Sequence, residues 1–332
     1  MSFISVKENI GIPKYKQIIR SVEHAILEGT LKKGDKLPSI NSLKNKFSLS
    51  RDTVLKSFYE LKSRGIIRSI AGKGYYVKSE DIAITQKIFL LFDELNSFKE
   101  DLYNSFLSRL DKHTQVDIFF HHFNFDVFQK LISDSIGNYN YYVIMPGNFK
   151  KSNTSIEKLP TEKVYILDQV YDDLSHYAAI YQNFETGIYN NLNENKQLLS
   201  TYDSLLLLFQ EHKQPQGMLH GFQKFCTKAS KNHSVIKSLE NRVPKKGEVY
   251  FIPDDRNLIL LLKKIKETSL KIGSDIGIIS YNHTLLKEIV EGGITTISTD
   301  FELMGKRLAQ MILNKEQIRI ENPTTLIIRN SI

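Results

Sequence analysis

Arg51, Thr53 and Lys56 crowd one short stretch of the chain. The hydroxyls of Ser39 and Ser50 and the amide of Asn41 come just before them, and Lys73 stands between Gly72 and Gly74. A guanidinium can donate twice to a guanine edge, and an amide can donate and accept at an adenine edge. Hydroxyl and ammonium groups hold phosphates. Chemistry of a catalytic kind is not legible. The chain shows no nucleophile elbow and no nucleotide-binding fingerprint, and Gly72-Lys73-Gly74 lacks the rest of a phosphate loop. His121 and His122 are adjacent, so on a strand they would point to opposite faces. With one cysteine, Cys226, and no H-x₃₋₅-H partner, a zinc site is not expected. The expectation is a protein that is not an enzyme and needs no metal or cofactor.

These side chains need elements to position them. Ser39 can cap a short helix whose apolar positions are Ile40, Leu43 and Phe47. Ser48-Leu49-Ser50 then turns the chain, and Ser50 caps a longer helix. There Val54, Leu55, Phe58 and Leu61 form an apolar stripe at helical spacing, while Arg51, Thr53, Lys56 and Ser57 face elsewhere. Gly65 ends this helix. Two short strands, Ile66-Ile67-Arg68 and Tyr75-Tyr76-Val77, flank a glycine-rich tip. The pattern predicts a winged helix-turn-helix with its basic, hydroxylic cluster at the start of the recognition helix. Upstream, residues 3–12 read as an extended lead-in and Pro13 as a first helical position. Tyr15, Ile18, Ile19, Val22 and Ile26 give the helix that packs beneath.

The residues Leu37-Pro38-Ser39, Leu43, Ser50-Arg51, Thr53-Val54, Leu61, Gly65 and Gly72-Lys73-Gly74-Tyr75 resemble the GntR family of bacterial regulators. The resemblance covers about the first quarter of the chain. It implies DNA contacts from Pro38, Ser39, Asn41, Ser50 and Arg51, and from Thr53, Lys56, Gly72, Lys73 and Gly74. Asn41 stands where many members carry an arginine. The charge agrees. The chain has a net charge of +8, and residues 1–78 hold 16 of its 45 Lys+Arg but only 6 of its 37 Asp+Glu. A basic head on a nearly neutral body suits nucleic-acid binding by the head.

Beyond a polar boundary at residues 79–86 the pattern alternates. Apolar runs at 88–92, 116–120, 141–145, 164–167, 205–209, 249–252 and 276–280 lead into amphipathic stretches, as in parallel sheets covered by helices. Gly277-Ile278-Ile279-Ser280-Tyr281-Asn282, Gly292-Gly293-Ile294-Thr295-Thr296-Ile297 and Asp300-Phe301-Glu302-Leu303-Met304-Gly305 look like the effector domain of the LacI family, which shares its fold with periplasmic sugar-binding proteins. The likeness is sharp only over the last sixty or so residues. The expected fold class is therefore α/β: an N-terminal winged helix-turn-helix plus a two-lobed, doubly wound periplasmic-binding-protein-like (type I) effector domain. The expected divisions are 1–78, a linker at 79–86, and 87–332. The first lobe would take 87–182 and 300–318, the second 184–298 and 320–332. Crossovers would lie near Gln182-Asn183, Ser298-Thr299-Asp300 and Arg319-Ile320-Glu321.

Ligands of open parallel sheets sit beyond the carboxyl ends of strands. The candidates from the first lobe are Asp93, Glu94, Phe98, His121, Asp168 and Gln169. Those from the second are His220, Asp254, Asp255, Arg256, Tyr281 and Asn282. Asp168, one of Asp254 and Asp255, and Asn282 fall where the family's motifs place ligand contacts. Met218 replaces an arginine common before the Gly221-Phe222 pair, with His220 as a possible substitute, and Asn282 replaces an aspartate. Carboxylates and amides beside aromatic faces suit a sugar. The resemblance implies a homodimeric repressor of carbohydrate-utilisation genes, bound to a two-fold operator and released from it by a monosaccharide. Two other readings are a fusion to a pyridoxal-phosphate-type enzyme and a constitutive DNA-binding protein whose body only dimerises. One cysteine, no secretory pattern and no apolar run near the roughly 20 residues that span a bilayer lead to a cytoplasmic expectation without membrane contact.

Overall fold

A hydroxyl starts each helix of the helix-turn-helix pair. The computed structural model describes residues 3–8, 12–149 and 152–332; the lead-in expected over 3–12 thus falls partly on Asn9, Ile10 and Gly11, outside the described residues. Three helices come first: α1 (Lys14–Leu27), α2 (Ile40–Phe47) and α3 (Arg51–Ser63). Ser39 Oγ accepts from the Ser42 amide and Ser50 Oγ from the Thr53 amide, each at 3.1 Å. Each hydroxyl thereby satisfies a donor that the helix leaves orphaned. Pro13 is the N-cap of α1, one residue before the position expected for it, because its ψ of 135° is still extended. The wing is β1 (Ile67–Ile70) paired antiparallel with β2 (Gly74–Val77), Ile67 opposite Val77. Ile18, Val22, Val54, Phe58 and Leu61 pack as one core. Ser57 departs from the reading that turned it outward. It is buried, and its hydroxyl donates to Val54 O at 2.7 Å, so the helix's own carbonyl satisfies it.

Strands and helices then alternate. The order begins β3 (Gln86–Phe92), α4 (Ser97–Leu107), β4 (Thr114–Phe120), α5 (Phe125–Ser135), β5 (Tyr141–Ile144), α6 (Asn153–Ile156), β6 (Val164–Asp168), β7 (Ala178–Tyr181) and α7 (Phe184–Glu194). It continues β8 (Ser204–Leu208), α8 (Gln216–Lys228), β9 (Asn232–Ile236), β10 (Glu248–Ile252), α9 (Asp255–Lys266), β11 (Gly277–Tyr281) and α10 (Leu285–Ile289). The last elements are β12 (Thr295–Thr299), α11 (Phe301–Asn314), β13 (Arg319–Glu321) and β14 (Thr324–Ile327). Asn96, Asn124, Asn183, Asp254, Thr284 and Asp300 each accept an amide of the helix that follows. Most helix starts after a strand thus carry their own cap.

Two sheets result. The first runs β13-β7-β6-β5-β3-β4, all parallel. The second runs β14-β12-β11-β10-β8-β9, parallel except for β14. Each has apolar cores on both faces. In the first, Leu90 and Leu167 meet Met304 of α11 on one side, and Phe89 and Ile144 meet Phe128 of α5 on the other. In the second, Leu207 and Phe251 meet Phe222 of α8, and Leu206 and Ile252 meet Leu261 of α9. Close helix contacts use small residues. A Cβ on Gly305 would strike the Leu102 carbonyl of α4, and one on Gly221 the Glu185 carbonyl of α7.

The third passage between sheets differs from expectation. Arg319–Glu321 pairs with β7 in the first sheet, so the chain crosses at Asn322-Pro323 and residues 320–321 belong with the first lobe. The strand β9 was not expected at all. It is an exposed edge whose sequence, Asn-His-Ser-Val-Ile, lacks an apolar run. The helix expected over 184–199 breaks after Glu194, and a short 3₁₀ turn covers Lys196–Leu199.

Candidate functional site

The head leaves most of its polar cluster open to solvent. Asn41, Ser50, Arg51, Gly72 and Lys73 are exposed, as is Ser39, while Thr53, Pro38 and Gly74 are half-buried. Ser50 and Thr53 share a hydroxyl–hydroxyl hydrogen bond of 2.8 Å besides the cap. That bond fixes the first turn of α3, from which Arg51 projects. Lys56 is held differently, with its ammonium 4.3 Å from the ring centroid of Tyr15 on α1.

The other end of α3 rests on the body. Asn140 Nδ2 donates to Ser63 Oγ at 3.0 Å, and Asn140 Oδ1 accepts the Lys87 amide at 2.8 Å. Lys163 Nζ lies 4.2 Å from the centroid of the Tyr59 ring. Arg64, buried beside α3, pairs with Glu23 at 2.5 Å and donates to Ile84 O at 3.1 Å. One helix thus carries the basic cluster at its start and docks on the first lobe at its end.

A cavity of about 830 Å³ opens between the two sheets at the carboxyl ends of their strands. Ten of the twelve expected residues line it: Asp93, Glu94, Phe98, Asp168, Gln169, Asp254, Asp255, Arg256, Tyr281 and Asn282. His121 does not. It is fully buried behind the loop, with Nε2 3.2 Å from Met145 O, Nδ1 accepting the Phe123 amide at 3.2 Å, and Phe128 and Phe149 against its ring. Burial lowers its pKa, as expected of a ring held neutral among aromatic neighbours. His220 also lies outside the cavity, on the exposed side of α8 facing Glu185 at 3.9 Å. Met218, two residues earlier and so on the opposite side of the helix, lines the cavity instead.

The floor joins the two lobes. Asp168 has a positive φ of 73°, and its Oδ1 accepts from Gln182 Nε2 at 2.6 Å. Gln182 Oε1 in turn accepts from the Tyr281 hydroxyl at 3.0 Å. Burial pushes the Asp168 carboxyl up to about 6, with Lys99 opposing and Asp93 adding to the rise. Asp93 is ion-paired with buried Lys99. Asn282, also at positive φ, has a buried side-chain oxygen with no partner among the described residues. Lys287 props this loop from below. It donates to the Tyr281 and Asn282 carbonyls, both at 2.8 Å, and pairs with Asp255 at 2.9 Å. Burial lowers its pKa while Asp255 opposes the fall. Asp254 is occupied as the cap of α9. Phe98, Phe184 and Tyr281 supply aromatic faces.

Sequence reasoning missed Lys99, Gln182, Lys287 and Gln214 at this site. Gln182 directly follows a strand and could have been found by that rule. The buried lysines carry no local signal.

Residues 14–77 match the family described as bacterial regulatory proteins, gntR family. The chain is 34% identical over 99 residues to the HTH-type transcriptional repressor YtrA of Bacillus subtilis, covering 30% of this chain and 72% of that protein. The chain belongs to the GntR family. It is also 37% identical over 107 residues to the mannosyl-D-glycerate transport/metabolism system repressor MngR of Escherichia coli, but these span only 32% of this chain and 41% of MngR. Residues 202–332 match the periplasmic binding protein-like domain. A LacI family transcriptional regulator from Silicibacter pomeroyi shares the fold, with a TM-score of 0.63 at 14% identity over 74% of this chain and 98% of that one. This member of the GntR family therefore combines the helix-turn-helix of its family with a two-sheet body of LacI type.

Proposed function

We propose that the chain is a sequence-specific DNA-binding transcriptional regulator, a repressor of carbohydrate-utilisation genes that a sugar in the interlobe cleft releases from its operator. The observation that carries this is the union of two parts in one rigid path. The exposed start of α3 offers Arg51 to DNA, and its far end is fastened to the lobe that holds Asp168. Asp168, Asn282 and Gln169 provide acceptors for hydroxyls, and the aromatic faces suit the C–H face of a sugar ring. The name of MngR, a repressor for transport and metabolism of a glycoside, points the same way.

The regulator acts as a homodimer on a two-fold site in the cytoplasm, without catalysis. Helix α10 exposes Leu285 and Ile289, each 78% accessible, beside Leu286; a second copy covering them brings two heads to two half-sites. The strands' passages near Asn183 and Thr299 act as the hinge. Calorimetry with a sugar panel, followed by operator binding with and without the sugar that binds, tests the reading. Sugar binding that leaves operator affinity untouched defeats it.

A further inference from the structure

The cavity does not stop at the strand ends. Along α9 it is lined by Arg256, Leu260 and Lys264, four residues apart on one helix face. That face spans about 12 Å at 1.5 Å per residue, longer than one pyranose ring. Ser238 and Glu240, from the segment after β9, also line the cavity. The lobes already touch. Tyr281 reaches Gln182, and Asn148 Nδ2 donates to Gln214 O at 2.8 Å across the other lip. The 830 Å³ is thus the space left with the lobes in contact, and it lies high in the range of small-molecule sites.

This arm differs in charge from the floor. The side chains of Lys213 and Arg256 line the cavity, are exposed, and have no hydrogen-bond or ion-pair partner among the described residues. Lys264 Nζ is held at the far end by the backbone carbonyls of Glu240, at 2.9 Å, and Arg242, at 3.2 Å. Nearby carboxylates are committed elsewhere, Asp254 to the cap of α9 and Asp255 to Lys287. Among the described residues that line the cavity, Glu240 and Glu94 are the carboxylates left to offset these three cations. The floor, with Asp168 and the unpartnered Asn282 oxygen, offers acceptors.

We propose that the ligand is an acidic oligosaccharide of at least two units. One ring sits on the floor against Asp168 and Asn282, and the extension runs along α9 with an anionic group facing Arg256 and Lys213. A monosaccharide fills the floor alone. The proposal rests on the sugar-binding reading of the same cleft.

Calorimetry on the full chain tests it with matched probes: neutral disaccharides, their uronate, sulfate and phosphate counterparts, and the component monosaccharides. One acidic class should bind about tenfold or more tightly than its neutral counterpart and its parts, the value of one charge-assisted contact. The uronate, sulfate and phosphate arms identify the anion. Arg256→Gln with Lys213→Gln should bring the acidic ligand down to the level of the neutral one, and raised salt should do the same in part. Equal binding of acidic and neutral probes, or of a monosaccharide alone at full affinity, overturns the proposal and leaves the sugar-binding reading standing. No heat from any sugar overturns both.

Discussion

Asn140 donates to Ser63 at 3.0 Å, and this single hydrogen bond joins the last turn of α3 to the start of β5. The carbonyl oxygen of the same side chain accepts the amide of Lys87 on β3. A shift of the first lobe must therefore move the recognition helix with it, or break these bonds.

Asn140→Ala should leave operator affinity without ligand near the wild-type value and shrink the effect of ligand on it. The loss of stability should be about 1 kcal/mol, as for a typical internal hydrogen bond. Fluorescence anisotropy with labelled operator, with and without ligand, reads the first and urea unfolding the second. A variant with full ligand response would show that the docking contact carries no signal.

Arg51→Ala and Lys73→Ala should separate base reading from phosphate holding. If Arg51 reads a guanine, its loss costs about 1–3 kcal/mol and relaxes preference at one operator position. Loss of Lys73 weakens all sequences alike and lowers the salt slope by about 1. Operator variants titrated at several salt concentrations distinguish the two patterns, and unaltered affinity for Arg51→Ala removes that residue from the interface.

The raised carboxyl of Asp168 makes stability and binding depend on pH. Its folded pKa, about 6, lies above the ordinary 3.8. The contribution to stability is full below pH 3.8 and is lost as pH rises through 6. Asp168→Asn should therefore raise unfolding stability at pH 8, by about 3 kcal/mol, and change it little near pH 3.5. A charged Asp168 also accepts ligand hydroxyls best, so wild-type affinity should fall as pH drops from 8 to 5. Calorimetry across that span should find the slope in wild type and not in Asp168→Asn.

Gly221→Ala probes the second lobe without touching the cleft's polar groups. The added methyl meets the Glu185 carbonyl where α7 and α8 pack, and such overpacking costs about 1–3 kcal/mol. Denaturant unfolding measures it, and a neutral result would mean the helices part easily.

The head was legible because local rules decide it. Ser39, Ser50, the stripe from Val54 to Leu61 and the glycine-flanked Lys73 each act over a few residues. The runs that became β3, β4, β5, β6, β8, β10 and β11 were legible for the same reason; β9, whose edge position removes the apolar signal, was not. Cleft residues at strand ends followed from topology. His121 and His220 did not, because the turn after Phe120 sends His121 inward and the helical phase of α8 turns His220 away while Met218 faces in. Lys99 and Lys287 were hidden because their role arises from partners distant in the fold or on the backbone: Asp93, Asp255 and two carbonyls.

Coupling between cleft and head is the central claim, and operator affinity measured with and without a saturating cleft ligand tests it most directly. Ligand that calorimetry shows to bind should weaken operator binding by about 5- to 150-fold, the usual range of allosteric coupling, and operator should weaken ligand binding by the same factor. Identical operator affinity in the two titrations would contradict it.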